Sequence, residues 1–184
     1  MTAEYPWYSV VEGEELQQGD LLRAFPLLIP VLEGGEDGDG PYLEADIQSY
    51  NVLVMTQSCD LEQDKVDKVV LCAHVDFAHA QAANPGLKKK AATDIQGGKL
   101  MRYQLLAGSS TEILMPLQLL DFGEVYSVPK ELVRRRAKVQ GKRLRLLPPY
   151  REHIAQAFAR FYMRVALPVA PLDVTAPPSS PTLS

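Results

Sequence analysis

The segment that most constrains the fold is residues 52–75, VLVMTQSCDLEQDKVDKVVLCAHV. It contains two apolar runs rich in β-branched residues, VLVMT and VVLCAHV, with a polar connector between them. Short apolar runs of this kind are typical of buried strands. If the connector closes a regular hairpin, Cys72 lies opposite Leu53. The segment therefore predicts two adjacent buried strands with a polar corner that opens on residues 57–60.

Further strand-like runs precede and follow this hairpin. They are LLRAF, LMRYQLL, TEILMPLQLLDF, EVYSV and KRLRLL. Pro26 and Pro30 follow the first run, and because proline cannot donate to a strand ladder they predict a strand at a sheet edge. The last run alternates basic and apolar residues, which is typical of a strand with one face in water.

Helical patterns lie between and after these strands. DFAHAQAAN and GLKKKAATDIQ predict two short helices, and PKELVRRRAK predicts a longer one with Pro129 at its first position. The strongest pattern is YREHIAQAFARFYMRVAL, and its apolar stripe consists of Ile154, Phe158, Phe161 and Val165. The sequence therefore predicts an α+β fold: a small antiparallel β-barrel with inserted short helices and a C-terminal helix.

Length and composition fit one well-packed domain, since 46% of the 184 residues are hydrophobic. We expect that domain over residues 1–167 and a flexible proline-rich tail over 168–184. Two cysteines are too few for a disulfide framework, which indicates a reducing compartment. The beginning of the sequence lacks the basic region of a signal peptide, and the apolar run AFPLLIPVL is too short to cross a bilayer. We therefore expect a cytoplasmic protein with no membrane contact and no cofactor.

Charge is distributed unevenly along the chain. Residues 1–129 carry 8 Lys and Arg against 20 Asp and Glu, a net charge of −12. Residues 130–164 carry 11 Lys and Arg against 2 Asp and Glu, a net charge of +9. This asymmetry leaves two interpretations open. The basic region either forms a surface for a polyanion or pairs internally with the acidic part of the chain.

The basic region supplies the best candidates for a binding surface. Arg143 and Arg145 share one strand face at period 2, and three consecutive arginines fan around one helical turn. Together with a tyrosine that would stack on a base, they would follow a phosphate backbone. The candidates are Arg134, Arg135, Arg136, Lys138, Lys142, Arg143, Arg145, Tyr150, Arg151, Arg160 and Arg164.

Two stretches, GDLLRAF and VLVMTQSCDLEQDKVDKVVLCAHV, resemble the first half of the PemK/MazF-type SH3-like barrel of toxin–antitoxin systems. EVYSVPKELVRRRAK, KRLRLL and the terminal helix are similar to its second half. This resemblance implies an SH3-like barrel. The chain more closely resembles a set of bacterial proteins of unassigned function that carry TQSCDLE and RLLPPYREHIAQAFARFYMRV, which implies a bacterial origin.

The sequence departs from the PemK/MazF pattern at the positions that carry ribonuclease chemistry. In those ribonucleases an arginine leads into one strand, and a serine or threonine follows a later one. The matching places here hold Tyr50-Asn51 and Val75-Asp76-Phe77. The resemblance therefore implies the barrel without the ribonuclease mechanism.

Cys59 is the candidate nucleophile, directly after a predicted strand. Asp60 and Gln63 have the N-cap-to-N3 spacing of a short helix, which would begin just after Cys59 and favour its thiolate. The alternative is a capped turn with Cys59 as a small buried residue. The enzymatic hypothesis places a site at Gln57, Ser58, Cys59 and Asp60, with help from His74.

A zinc site would have to unite Cys59, Cys72 and His74. Cys72 and His74 face the same way on one strand. Cys59 would lie roughly 10–15 Å from Cys72, at about 3.3 Å per strand residue. Zinc ligands lie within about 2.0–2.3 Å of the ion. We therefore expect no metal, and the same separation argues against a disulfide.

Three functional hypotheses result. The first is a small-barrel binding module for nucleic acid or an acidic protein surface, without ribonuclease chemistry. The second is a thiol-dependent or hydrolytic enzyme with its site at residues 57–60. The third is a structural subunit of a homodimer or a larger complex.

Overall fold

The computed structural model describes residues 5–33, 42–87 and 90–163. The helices are α1 (Ser58–Glu62), α2 (Phe77–Ala83), α3 (Ala91–Gln96), α4 (Lys130–Gln140) and α5 (Tyr150–Tyr162). The strands are β1 (Tyr8–Val11), β2 (Leu21–Glu33), β3 (Tyr42–Val54), β4 (Lys68–Asp76), β5 (Tyr103–Leu106), β6 (Ser109–Ser110), β7 (Leu114–Met115), β8 (Gln118–Pro129) and β9 (Arg143–Leu146). Val165, Arg164 and the predicted tail over 168–184 lie outside the described residues.

The main sheet has five antiparallel strands in the order β2-β3-β4-β8-β5. Leu53 lies opposite Cys72, as the hairpin prediction requires, and Asn51 lies opposite His74. β2, which contains Pro26, is an edge strand of this sheet, so that prediction is also confirmed.

A separate two-stranded sheet brings together β1, near the beginning of the described chain, and β9, near its end. β1 runs antiparallel to β9, with Tyr8 opposite Leu146. A single bridge between Asp20 and Arg145 connects β9 to the chain just before β2. The Leu146 amide also donates to the Gly19 carbonyl at 2.9 Å. The α+β prediction is confirmed, and the strand pairings among the described residues do not close into a barrel.

β8 is one continuous strand where the sequence suggested two. The interruption expected near Gly123 is an irregularity in its pairing with β4, where Cys72 faces Val125 and His74 faces Leu120. The Arg102 guanidinium lies across Gly123, where a Cβ atom would come within 2.8 Å of it. Because Gly123 has no Cβ, the guanidinium can lie there without being displaced, so Gly123 accommodates a side chain and does not end the strand.

Two of the longer helices cover separate parts of the core. α5 contributes Ile154 and Phe161 to a cluster that includes Leu53 and Phe122. Phe158 meets Phe122 edge to face at 5.5 Å, so three members of the predicted stripe face the core. α4 packs against a second cluster that lies on β2, β3 and β4. None of the helices in the described ranges has the length and hydropathy needed to cross a bilayer.

Candidate functional site

A pocket of about 240 Å³ opens where several strands and one helix end converge. We call it the His74 pocket. Apolar residues of its lining come from the segment around β7 and from β2 and β9. Polar residues come mainly from β3, β4 and β8, with Arg23, Gln140 and Arg143 in addition. Its lining residues are Leu21, Arg23, Asn51, His74, Asp76, Ile113, Leu114, Met115, Pro116, Gln118, Gln140, Arg143 and Leu144.

His74 is the most unusual polar residue of this pocket. It lies on β4 between β3 and β8, and only 7% of its surface is exposed. Its Nδ1 atom lies 2.9 Å from Oε1 of Gln118. Burial lowers the pKa of His74 from 6.5 to about 4, although the hydrogen bond to Gln118 opposes that shift. The imidazole is therefore neutral at pH 7.

The second ring nitrogen of His74 has no hydrogen-bond partner in the described part of the chain. Among the described residues, Nε2 of His74 is the only buried side-chain nitrogen or oxygen without a hydrogen bond. Buried polar atoms are paired in most native structures, because an unpaired one costs about 1–3 kcal/mol. Because His74 also lines a concave pocket, its unpaired nitrogen indicates a ligand site there.

Two other polar side chains of the pocket, Asn51 and Asp76, are held by backbone hydrogen bonds. Asn51 accepts a bond from the Ala24 amide at 3.1 Å. Asp76 accepts one from the His79 amide at 2.9 Å, which caps α2. Each bond uses one side-chain oxygen, so the amide nitrogen of Asn51 and the second carboxylate oxygen of Asp76 have no bond within the described ranges. These groups are thus oriented in advance for a ligand.

The predicted thiol site lies elsewhere. Cys59 is exposed and sits inside α1, which begins at Ser58 and not at Asp60 as expected. The prediction that Cys59 precedes the helix is therefore wrong. Its sulfur contacts Gln57 Oε1 and Asp60 Oδ1, each at 3.7 Å, and the Ser58 hydroxyl accepts a bond from the backbone amide of Gln18. The four residues cluster at one corner, but they do not line the His74 pocket.

The strand KRLRLL does not have the wet face that its alternation predicted. Arg143 is fully buried, so its expected place on an exposed binding surface is wrong. The physical reason is Asp20, which is also fully buried and accepts a bond from Arg143 Nε at 3.0 Å. Arg145 shares that strand face, as predicted, and donates to the same carboxylate. A buried counter-charge thus turns two candidate ligand contacts into structural ones.

Most other candidates of the basic region also bond within the protein. Four further ion pairs join the basic region to acidic residues earlier in the chain: Lys130 and Arg134 with Asp64, Lys138 with Glu14, and Lys142 with Glu112. Three arginines bond more locally or to backbone: Arg135 to Glu131, Arg151 to Glu152, and Arg136 to the Arg23 carbonyl. This pattern supports the internal-pairing interpretation of the charge asymmetry.

Two remaining candidates of the basic region differ in their surroundings. Tyr150 does not present a free ring, because it stacks on Trp7 with centroids 3.8 Å apart. Arg160 is exposed, and no ion pair to it is found within the described ranges. The basic residues therefore do not form one continuous free surface.

Sequence reasoning missed most of the His74 pocket. Asn51 and Asp76 occupy the places matched to the ribonuclease residues, and the structure puts both on the wall of one pocket. Gln118 had no sequence signal, because its role depends on the pairing of β4 with β8. A scan of protein-family models finds none that matches this sequence, and a search of curated proteins finds no significant match.

Proposed function

We propose that this chain is a binding module of the PemK/MazF-like SH3-like barrel type that takes its ligand into the His74 pocket and lacks ribonuclease chemistry. The observation that carries the proposal is that His74, whose buried Nε2 has no hydrogen-bond partner among the described residues, lines that pocket. Asn51 and Asp76 stand beside it, where the resemblance would place an arginine and a serine or threonine. An amide and a carboxylate can orient a ligand, but they do not reproduce that catalytic pair.

The shape of the pocket limits the ligand. A volume of about 240 Å³ suits a compact group, such as one ring with a polar substituent. Apolar lining residues such as Ile113 and Pro116 would hold the body of that group, and His74 and Asp76 would hold its polar end. The ligand is thus a small molecule or a protruding part of a larger one.

Fragment binding followed by NMR tests this proposal. Compact one-ring fragments should shift the amide signals of residues that line the His74 pocket. Leu114 is 78% exposed at the pocket rim, so Leu114→Trp should obstruct binding without disturbing the core. Leu132→Trp is the matched control, because Leu132 is 51% exposed on α4 and does not line the pocket. Equal binding by both variants, or no binding to the wild type, contradicts the proposal.

Nucleic-acid binding predicts a different result. An oligonucleotide held by the basic region would bind at low salt and weaken steeply as salt rises. The internal ion pairs and the net charge of −4 argue against such a surface. If an oligonucleotide binds tightly and salt-sensitively, and this binding is lost in Arg135→Ala but unchanged in Leu114→Trp, the binding site is the basic region and not the His74 pocket.

A further inference from the structure

We infer that the His74 pocket selects ligands whose polar end donates a hydrogen bond, such as amides, amines or alcohols, over carboxylates and phosphates of similar shape. This inference rests on the proposed function, because it names the ligand class of the same pocket.

The first step is the tautomer of His74. Gln118 donates from Nε2 to the Pro116 carbonyl at 3.1 Å, which fixes the orientation of its amide group. The amide oxygen of Gln118 must then face His74, and Nδ1 lies 2.9 Å from it. A carbonyl oxygen can only accept, so Nδ1 carries the proton. In a neutral imidazole the other nitrogen, Nε2, is then a bare acceptor.

The second step concerns the charged groups around the pocket. Asp76 is an acceptor, like Nε2 of His74, and it lies two residues further along β4 on the same side of the strand. Arg143 also lines the pocket, but its guanidinium is committed to Asp20 and to the Gly13 and Glu15 carbonyls. Arg23 is exposed and remains the one cationic group of the lining without an ion pair within the described ranges.

The third step compares two kinds of polar end. A donor satisfies the unpaired Nε2 of His74 and also suits the free oxygen of Asp76. A carboxylate or phosphate has only acceptor oxygens when ionised, so it would leave Nε2 unpaired and bring negative charge near Asp76. The free amide nitrogen of Asn51 would suit the carbonyl oxygen of an amide, but it cannot pair Nε2 when the ligand is an ionised acid. A site rejects a ligand that leaves one of its buried polar groups without a partner.

The test uses the full chain and a series of one-ring probes at pH 7. Benzamide and benzyl alcohol have a donor, whereas benzoate and anisole do not. NMR titration should show the donor probes at the His74 pocket with affinities about tenfold higher than benzoate and anisole. Long-range proton–nitrogen spectra of the unmutated protein should show the proton of His74 on Nδ1. Both measurements use the wild-type protein, so they do not depend on whether a variant folds.

The outcomes separate the two proposals. Benzoate binding at the pocket as tightly as benzamide would overturn the selectivity and leave the proposed function standing. A proton on Nε2 of His74 would overturn the selectivity in the same way. Absence of all four probes from the pocket would overturn both the proposed function and this inference.

Discussion

Asp20→Asn tests whether one carboxylate holds the buried part of the basic region. Asp20 and Arg143 are both fully buried. Oδ2 of Asp20 accepts bonds at 3.0 Å from Arg143 Nε and from Arg145 Nη2, and at 3.2 Å from the Gln17 amide. Asparagine keeps the shape of the side chain and one acceptor oxygen, but it removes the negative charge. The guanidinium of Arg143 would then stay buried without its counter-charge.

The structure sets the expected magnitude. Removing one partner of a buried ion pair costs about 3–5 kcal/mol, because the other charge is left uncompensated. Arg143 keeps its bonds to the Gly13 and Glu15 carbonyls, so we expect the lower end, about 3 kcal/mol. That is a large part of the roughly 5–15 kcal/mol that stabilises a typical domain.

Urea unfolding measures this loss. Trp7 is the single tryptophan, and its stacking on Tyr150 makes its fluorescence a reporter of the β1 region. Glu131→Gln is the control, because it removes an exposed pair with Arg135 and should cost less than about 0.5 kcal/mol. Asp20→Asn combined with Arg143→Met should recover most of the loss. A loss below about 1 kcal/mol for Asp20→Asn, at an unchanged urea slope, would refute the reasoning.

Three further predictions follow from single residues. The folded protein keeps His74 neutral with a pKa of about 4, whereas the unfolded chain protonates it below 6.5. The free energy of unfolding should therefore fall by up to about 3 kcal/mol between pH 6.5 and pH 4. In acid unfolding, the His74→Gln variant should lose less stability over this pH range than the wild type, because it lacks the titrating imidazole. Gly19→Ala should cost about 2 kcal/mol in urea unfolding, because φ is +92° and the added Cβ would lie 3.0 Å from Leu146. An unchanged free energy of unfolding would contradict the close approach of Gly19 to Leu146. A thiol reagent should modify the exposed Cys59 in the native protein. It should reach Cys72, whose pKa is raised by burial, only after unfolding. Fast reaction of both thiols in the native protein would show that the core around Cys72 opens.

The elements that could be predicted from the sequence are those whose side-chain pattern repeats locally. The side-chain period of 2 placed Leu53 opposite Cys72, because one slipped residue would have turned every apolar side chain outward. The helical period of α5 likewise identified Ile154 and Phe161 as core residues. In both cases the information lies within about 20 residues of sequence.

The features that could not be predicted from the sequence depend on residues that are far apart in the chain. Arg143 lay in an alternating strand, and nothing local revealed that Asp20 would supply its counter-charge from 123 residues away. The start of α1 was misplaced because Gln57, its N-cap, makes no side-chain cap hydrogen bond and so carries a weak signal. The His74 pocket draws its lining from six strands and α4, so no single motif could have indicated it.

The pairing of β1 with β9 has a consequence for how the protein is made. The Asp20 carboxylate emerges from the ribosome early, but its partner Arg143 is 123 residues further along the chain. Chains grow at about 5–20 residues per second, so for some seconds β1 lacks its neighbour and Asp20 stays in water. The first segment therefore cannot dock until β9 has been synthesised, and closure of this part of the fold is a late event in biogenesis.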